Sequence, residues 1–510
     1  MPEYLSPGVY VEEVSSGIKP IEGVGTSTGA FIGIAERGPV GKPRLIANWT
    51  QFTNTFGGFI EGGYLAYAVY QFFNEGGTRC YVIRAAKGLA DNPVTTEVNE
   101  ATIAKATITL GSLKVSANSE GTWGNALSVA VENETPVPRV ATVPPVEYFK
   151  LSVIYKGDVL ETYDNVTMDE NQPDHISKRV NSKWVEVVDS GSVRPTNSQT
   201  VPQPDGTLKV IPVALTGGLN GDALLVSDWA GATGFINAFD TVDDINIVAI
   251  PDAKGDKVVT INAYTYCQNR KDCFFVADTP NNLDAQGVAN FRKVLGNFNS
   301  SYAALYYPWI TVSDPLTGKP KATPPSGAIV GTYSHTDVAR GVHKAPAGIE
   351  VGYLNSAIGV ESIITKGEHD TLNPIGVNVI RSFPGAGTVV WGARTLSSDS
   401  EWKYVNVRRL FLFLEETIDE GSQWVVFEPN TPLLWGKVKR NITAFLTNVW
   451  RDGALFGTTA AEAFFVKVDA ENNPPEVVDA GRLIIEIGVA PVKPAEFVII
   501  RISQKTLGKG

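Results

Sequence analysis

Each end of this chain reads as a β-strand with no hairpin neighbour, which limits the available folds more than any other feature. The beginning runs Ser6-Pro7-Gly8-Val9-Tyr10-Val11-Glu12-Glu13, and the ending Pro494-Ala495-Glu496-Phe497-Val498-Ile499-Ile500-Arg501-Ile502-Ser503. Both are β-branched and aromatic runs fenced by Pro or Gly, the usual bounds of strands. An unpaired strand exposes a row of N–H and C=O groups that invites another chain. The plainer alternative is that both ends tuck back onto their own domain.

The two ends differ in charge. Residues 1–22 carry four Glu against one Lys, and residues 482–510 carry five Lys or Arg against two Glu. Opposite charges across a strand pair are stabilising, so the two ends suit each other. Burying Phe497, Val498, Ile499, Ile500 and Ile502 contributes roughly 7–15 kcal/mol. Ordering about ten residues costs ~1–2 kcal/mol apiece, which nearly cancels that gain. The arm is therefore expected to order only where a partner sheet adds hydrogen bonds.

A length of 510 residues allows several domains with separate cores. The net charge of −11 argues against a general nucleic-acid binder. The 49 Gly and 31 Pro favour a β-rich or mixed fold over a helical bundle. Three cysteines, Cys80, Cys267 and Cys273, make no disulfide framework and fit a reducing compartment. Met1-Pro2-Glu3-Tyr4 lacks the regions of a leader, and no apolar run approaches the ~20 residues of a membrane span. A soluble protein made in the cytoplasm, with no membrane insertion, is expected.

Periodicity divides the chain. Residues 21–90 read as a small α/β unit, with a buried strand at Gly29–Ala35, a helix from Tyr64 to Asn74 and a strand at Cys80–Arg84. Residues 91–215 are rich in Thr, Val and Ser and alternate as short antiparallel strands, which predicts a β-rich insertion. Residues 216–370 return to strand–helix–strand order and predict a parallel sheet. Residues 371–490 hold two amphipathic helices, near 400–418 and 431–451.

Motifs for chemistry do not survive inspection. Gly25-Thr26-Ser27-Thr28-Gly29 matches G-x-S-x-G, but a strand follows it where a nucleophile elbow needs a helix. Gly38-Pro39-Val40-Gly41-Lys42-Pro43 lacks the spacer and the Ser/Thr of a phosphate loop. His335, Asp337 and His343 read as neighbours on a Gly- and Pro-rich loop, without the spacing of a metal site. Cys267 and Cys273 fit no zinc or redox motif, and Cys273 reads as core. Glu415-Glu416 and Asp243-Asp244 read as solvated charges. No catalytic, cofactor-binding or metal residue is assigned, and no cofactor is expected. One basic cluster stands out: Lys437, Lys439 and Arg440 on the second helix, with Arg408 and Arg409 on the first. It marks either a docking surface for an acidic partner or a solvated helix face.

Several segments together resemble the contractile tail sheath proteins, which form the outer contracting tube of bacteriophage tails, R-type pyocins and related injection systems. They are Tyr4–Glu13, Trp123-Gly124-Asn125, Leu215–Gly221, Val242–Pro251, Ala304–Trp309 and Pro324–Gly327. They continue with Arg340–Ala347, Leu372-Asn373-Pro374, Val390–Leu396, Tyr404–Leu410 and Ala490–Phe497. Their order spans nearly the whole chain, with 91–215 matching least.

The resemblance implies a multidomain α/β and α+β architecture. Residues 1–20 would form an N-terminal arm, and 21–90 with 371–490 a tube-proximal α+β domain. Residues 91–215 would be an outward β-rich insertion, 216–370 a subtilisin-like α/β middle domain without a protease triad, and 491–510 a C-terminal arm. It implies a structural subunit, not an enzyme, that polymerises helically around an inner tube and contracts to drive that tube through a target envelope. Strand exchange would use Val9, Tyr10, Val11 and Glu12 of one arm and Phe497, Val498, Ile499, Ile500, Arg501 and Ile502 of the other. Lys437, Lys439 and Arg440 would contact the tube. The implied partners are other copies of the chain, the inner tube protein, and baseplate and tail terminator proteins, with no nucleic acid. Assembly would occur in the bacterial cytoplasm, as part of a phage tail or tail-like particle. The alternatives are another self-assembling shell or tube, and an enzyme built on the α/β domain.

Overall fold

The computed structural model describes residues 21–87, 103–133, 146–296 and 299–501. Its spine is an eight-stranded sheet in the order Arg44–Ile46, Cys80–Arg84, Gly29–Gly33, Ile247–Ala249, Phe274–Asp278, Ala303–Tyr307, Val377–Phe383 and Gly387–Val390. The six inner strands run parallel, and the two outermost are antiparallel to their neighbours. Parallel strands covered on both faces read as continuous apolar runs, as in Gly29–Gly33, Phe274–Asp278 and Ala303–Tyr307, which are buried throughout.

This sheet corrects the expected division of the chain. Gly29–Gly33 pairs in parallel with Cys80–Arg84 on one side and Ile247–Ala249 on the other. Residues 21–87 therefore complete the 216–370 sheet and do not form a separate layer with 371–490. Strand Val377–Phe383 joins the same sheet through Ala303–Tyr307. Local periodicity identified these strands but carries no information about partners hundreds of residues away.

Helices cover both faces. Leu65–Asn74 and Ser326–Arg340 lie together on one, and Lys257–Arg270 and Ala285–Val294 contribute to the core on the other. The first pair touches backbone to backbone: a Cβ on Gly327 would lie 2.3 Å from Ala68 Cα, and one on Gly331 2.6 Å from the Phe72 carbonyl oxygen. His335 and Asp337 sit on the Ser326–Arg340 helix, not on a loop. Its glycines, which resemble loop punctuation, are contact residues.

Among the described residues of 107–215, a three-stranded and a four-stranded antiparallel sheet enclose their own core, which includes Val115, Val129, Phe149 and Val166, and Thr200–Pro202 pairs separately with Leu208–Val210. Residues 405–489 form a further α+β layer. Helices Val405–Ser422 and Pro432–Arg451 pack with the antiparallel pair Phe464–Lys467 and Glu486–Val489 around Leu414, Ile442, Leu446 and Val466.

Candidate functional site at the root of the C-terminal arm

After strand Glu486–Val489 the chain is tied down stepwise. Ala490 N–H donates to the Ala463 carbonyl at 2.8 Å, and its own carbonyl accepts from Phe456 N–H at 2.7 Å. Val492 N–H donates to the Ala454 carbonyl, and Asn406 Nδ2 donates to the carbonyls of His343 (2.7 Å) and Val492 (3.3 Å).

The last fixed point is Glu496. Its Oε1 accepts from Arg394 Nε at 2.6 Å and Asn373 Nδ2 at 2.8 Å; its Oε2 accepts from Arg394 Nη2 at 2.7 Å and the Tyr404 hydroxyl at 3.0 Å. Lys403 Nζ lies 3.6 Å from Oε2. Burial pushes the Glu496 carboxyl up, but the hydrogen bonds and charge of Arg394, with Asn373 and Tyr404, overcome it and bring its pKa down to about 2. Arg394 is itself braced: its N–H donates to Asn378 Oδ1, Asn378 Nδ2 donates to its carbonyl, and its Nη1 donates to the Asn373 carbonyl. Asn373, Arg394, Tyr404 and Glu496 come from four of the separate segments that carry the family resemblance.

Beyond Glu496 the support ends. Phe497, Val498, Ile499 and Ile500 are 71–79% exposed, and Phe497–Arg501 lie in no strand. Ile502, like Val9, Tyr10, Val11 and Glu12, lies outside the described residues.

The N-terminal side is anchored on the same helix, Val405–Ser422. Val24 N–H donates to Thr417 Oγ1, and Ile21 packs against Gly421. Arg409 reaches Asp337 with Nη1 to Oδ1 at 2.8 Å and Nη2 to Oδ2 at 2.6 Å; Nη2 also donates to the Thr26 carbonyl, and Thr26 Oγ1 to Asp337. Both side chains of that pair are 3% exposed.

Arg409 therefore does not belong to a docking surface. Neither does Arg408, buried between the rings of Trp402 and Tyr302, whose centroids are 3.6 and 4.5 Å from its Cζ. The Asp337 carboxylate accounts for Arg409, and the rings of Trp402, six residues earlier, and of the distant Tyr302 account for Arg408. Lys437, Lys439 and Arg440 are exposed on helix Pro432–Arg451. Glu416 also departs from expectation. It is half-buried, and burial together with Asp272 and Glu420 pushes its pKa up to about 8 despite Arg270. No group of three or more potential metal ligands occurs among the described residues.

The model of the phage tail sheath protein central domain matches residues 228–396, and that of the phage tail sheath C-terminal domain matches residues 397–505. The chain is 28% identical over 214 residues to the tail sheath protein of Vibrio phage KVP40, covering 41% of this chain and 31% of that one. It is 24% identical over 263 residues to the tail sheath protein of Enterobacteria phage T4, covering 50% and 38%. The chain thus spans about a third of the length of these curated relatives. Its fold is similar to the sheath complex of an extracellular contractile injection system, PVC, solved in the contracted state, with TM-score 0.61, 21% identity and 99% of both chains covered. Two adjoining sheath domains matched across more than half of its length place the chain in the phage tail sheath family.

Proposed function

We propose that this chain is the structural subunit of a contractile sheath. It polymerises helically around an inner tube by strand exchange of its terminal arms, and contraction drives the tube through a target envelope. The work is mechanical, without a catalytic site or cofactor. The supporting observation is the abrupt change at Glu496: a braced root, then four consecutive exposed apolar residues. A long apolar strand with free edges is a liability for a monomer and an asset for a polymer. The antiparallel pair Phe464–Lys467 and Glu486–Val489, a two-stranded sheet among the described residues, offers an acceptor edge for such an arm. A contact that repeats without closing yields a tube, and rigid subunits joined by extended arms can change packing while remaining connected.

In this reading the doubly covered α/β sheet is the subtilisin-like middle domain, the β-rich insertion faces outward and the 405–489 layer faces the tube. The inner tube, baseplate and tail terminator proteins are the partners, and assembly takes place in the bacterial cytoplasm as part of a phage tail or tail-like particle. Deleting residues 497–510 tests the reading. The truncated chain is expected to fold and remain a small species, whereas the full chain forms tubes by electron microscopy. Normal tubes from the truncated chain would overturn it.

A further inference from the structure

Between the large sheet and the β-rich insertion lies a cleft of about 950 Å³. Bonds between the two units fix its inner wall. Gly38 N–H donates to Ser119 Oγ and the Tyr155 hydroxyl to Glu36 Oε1, each at 2.9 Å. Arg84 Nη1 donates to the carbonyls of Gly38 and Glu120, both at 2.9 Å. Arg37, Arg44 and Lys183 line the cleft, and among the described residues no carboxylate does. Arg44 and Lys183 are exposed and form no ion pair among those residues. Arg37 lies over the Trp184 ring, its Cζ 3.9 Å from the centroid, and its Nη2 donates to the Thr53 carbonyl at 2.8 Å. Its Nε is buried without a hydrogen-bond partner. An indole face and a carbonyl therefore hold this guanidinium. Glu36, its chain neighbour, is engaged by Tyr155, by Gly58 N–H and by Lys156.

The rest of the lining is polar but uncharged. Helix Trp49–Phe56 turns Thr50, Gln51, Asn54 and Thr55 to the cleft, while Phe52 and Phe56 are buried. Thr50 and Asn54 make no side-chain hydrogen bond among the described residues. Asn118 donates with Nδ2 to the Ser182 carbonyl at 3.2 Å, which leaves its Oδ1 as an acceptor. Arginine and lysine supply donors only, whereas amide oxygens call for donors in the ligand. A bare oxyanion would satisfy the first set and not the second. We propose that this cleft binds an acidic sugar, a single sugar unit bearing a carboxylate or a phosphate. The anionic group faces Arg37, Arg44 and Lys183, and the hydroxyls, which both donate and accept, face Thr50, Asn54 and Asn118. A guanidinium suits either anion because its planar fork offers parallel N–H donors. The volume lies within the usual range of small-molecule sites. Arg37 and Arg44 belong to 21–87 and Lys183 and Asn118 to the insertion, so the ligand bridges the two units.

Equilibrium dialysis of the full-length chain at low salt tests the assignment, with glucose 6-phosphate, glucuronate, glucose and inorganic phosphate as probes. The two acidic sugars are expected to be retained saturably, at least tenfold more tightly than glucose or inorganic phosphate. Arg44→Gln with Lys183→Gln is expected to weaken that retention about tenfold. Both residues are exposed, so the double variant should unfold at the native temperature, since exposed charges contribute little to stability. Lys209→Gln, an exposed control elsewhere in the insertion, should bind like the native chain. Phosphate retained as tightly as glucose 6-phosphate would overturn the sugar assignment and reduce the cleft to a cationic patch. Glucose retained as tightly as the acidic sugars would overturn the role of the three cations. Absence of saturable retention, or retention unchanged in the folded R44Q/K183Q chain, would overturn the site itself.

Discussion

Arg394 and Glu496 meet through two parallel hydrogen bonds of 2.6 and 2.7 Å, and the exposed arm begins at the next residue. Bidentate geometry fixes direction as well as distance, so the pair sets where the arm leaves the subunit. Glu496→Gln keeps the shape but loses charge-assisted bonds, each worth about 1.5–3 kcal/mol. The global unfolding midpoint should change little. Limited proteolysis near Lys493 should accelerate several-fold, and sheath assembly should slow. Unaltered cleavage would show that the arm root is held by other contacts.

The pH dependence of this root has a definite sign. The folded Glu496 pKa is depressed to about 2 from 4.5, so its stabilisation is fully present above the unfolded value and is lost as pH falls toward 2. The anisotropy of a dye on Phe497→Cys should be constant above pH 5 and drop between about pH 4.5 and 2. In Glu496→Gln that transition should be absent.

Asp278 has the opposite sign. Its carboxylate accepts from Ser326 N–H at 2.8 Å, and burial raises its pKa to about 7 despite the Ser326 hydrogen bonds. Its contribution is fully present below the unfolded value of 3.8 and is lost as pH rises through 7. Asp278→Asn, which stays neutral, should therefore gain in Tm relative to the native chain by a few degrees between pH 5 and pH 8. A difference in Tm independent of pH would contradict the assignment.

Gly331 holds two helices in contact. A methyl group there would press on the Phe72 carbonyl oxygen at 2.6 Å and the Glu75 Cβ at 2.7 Å. Gly331→Ala should cost about 1–3 kcal/mol through overpacking, read as a lower denaturation midpoint. Gly367→Ala, with open space around it, serves as the control.

Much of the secondary structure was legible because it follows periodicity. Helix Pro432–Arg451 was expected near 431–451, and strands Cys80–Arg84 and Ala303–Tyr307 fall where apolar runs predicted them. The partner of Gly29–Gly33 was not legible, because pairing to Ile247–Ala249 is a tertiary choice. Ser326–Arg340 was missed because Gly327 and Gly331 resemble loop residues until Ala68 and Phe72 are placed against them. The arm root was visible only as scattered resemblance. Asn373, Arg394 and Tyr404 gain a shared meaning once they converge on Glu496. Arg408 and Arg409 were misread for the complementary reason: the Tyr302 ring and the Asp337 carboxylate that bury them arrive from elsewhere in the chain.

The remaining basic cluster makes the last prediction. Lys437, Lys439 and Arg440 are exposed on helix Pro432–Arg451, while its apolar face, including Leu434, Val438 and Ile442, is buried. Reversing the three charges should therefore leave folding intact, since exposed charges contribute little to stability. If this face meets an acidic inner tube, the K437E/K439E/R440E chain should fail to form extended sheath on added tubes, while polymers that form without a tube persist. Salt should weaken the native association in the same direction, because exposed charge pairs are screened over ~8–10 Å at physiological ionic strength. Tube-dependent assembly equal to that of the native chain, with the same salt dependence, would reduce the cluster to a solvated helix face.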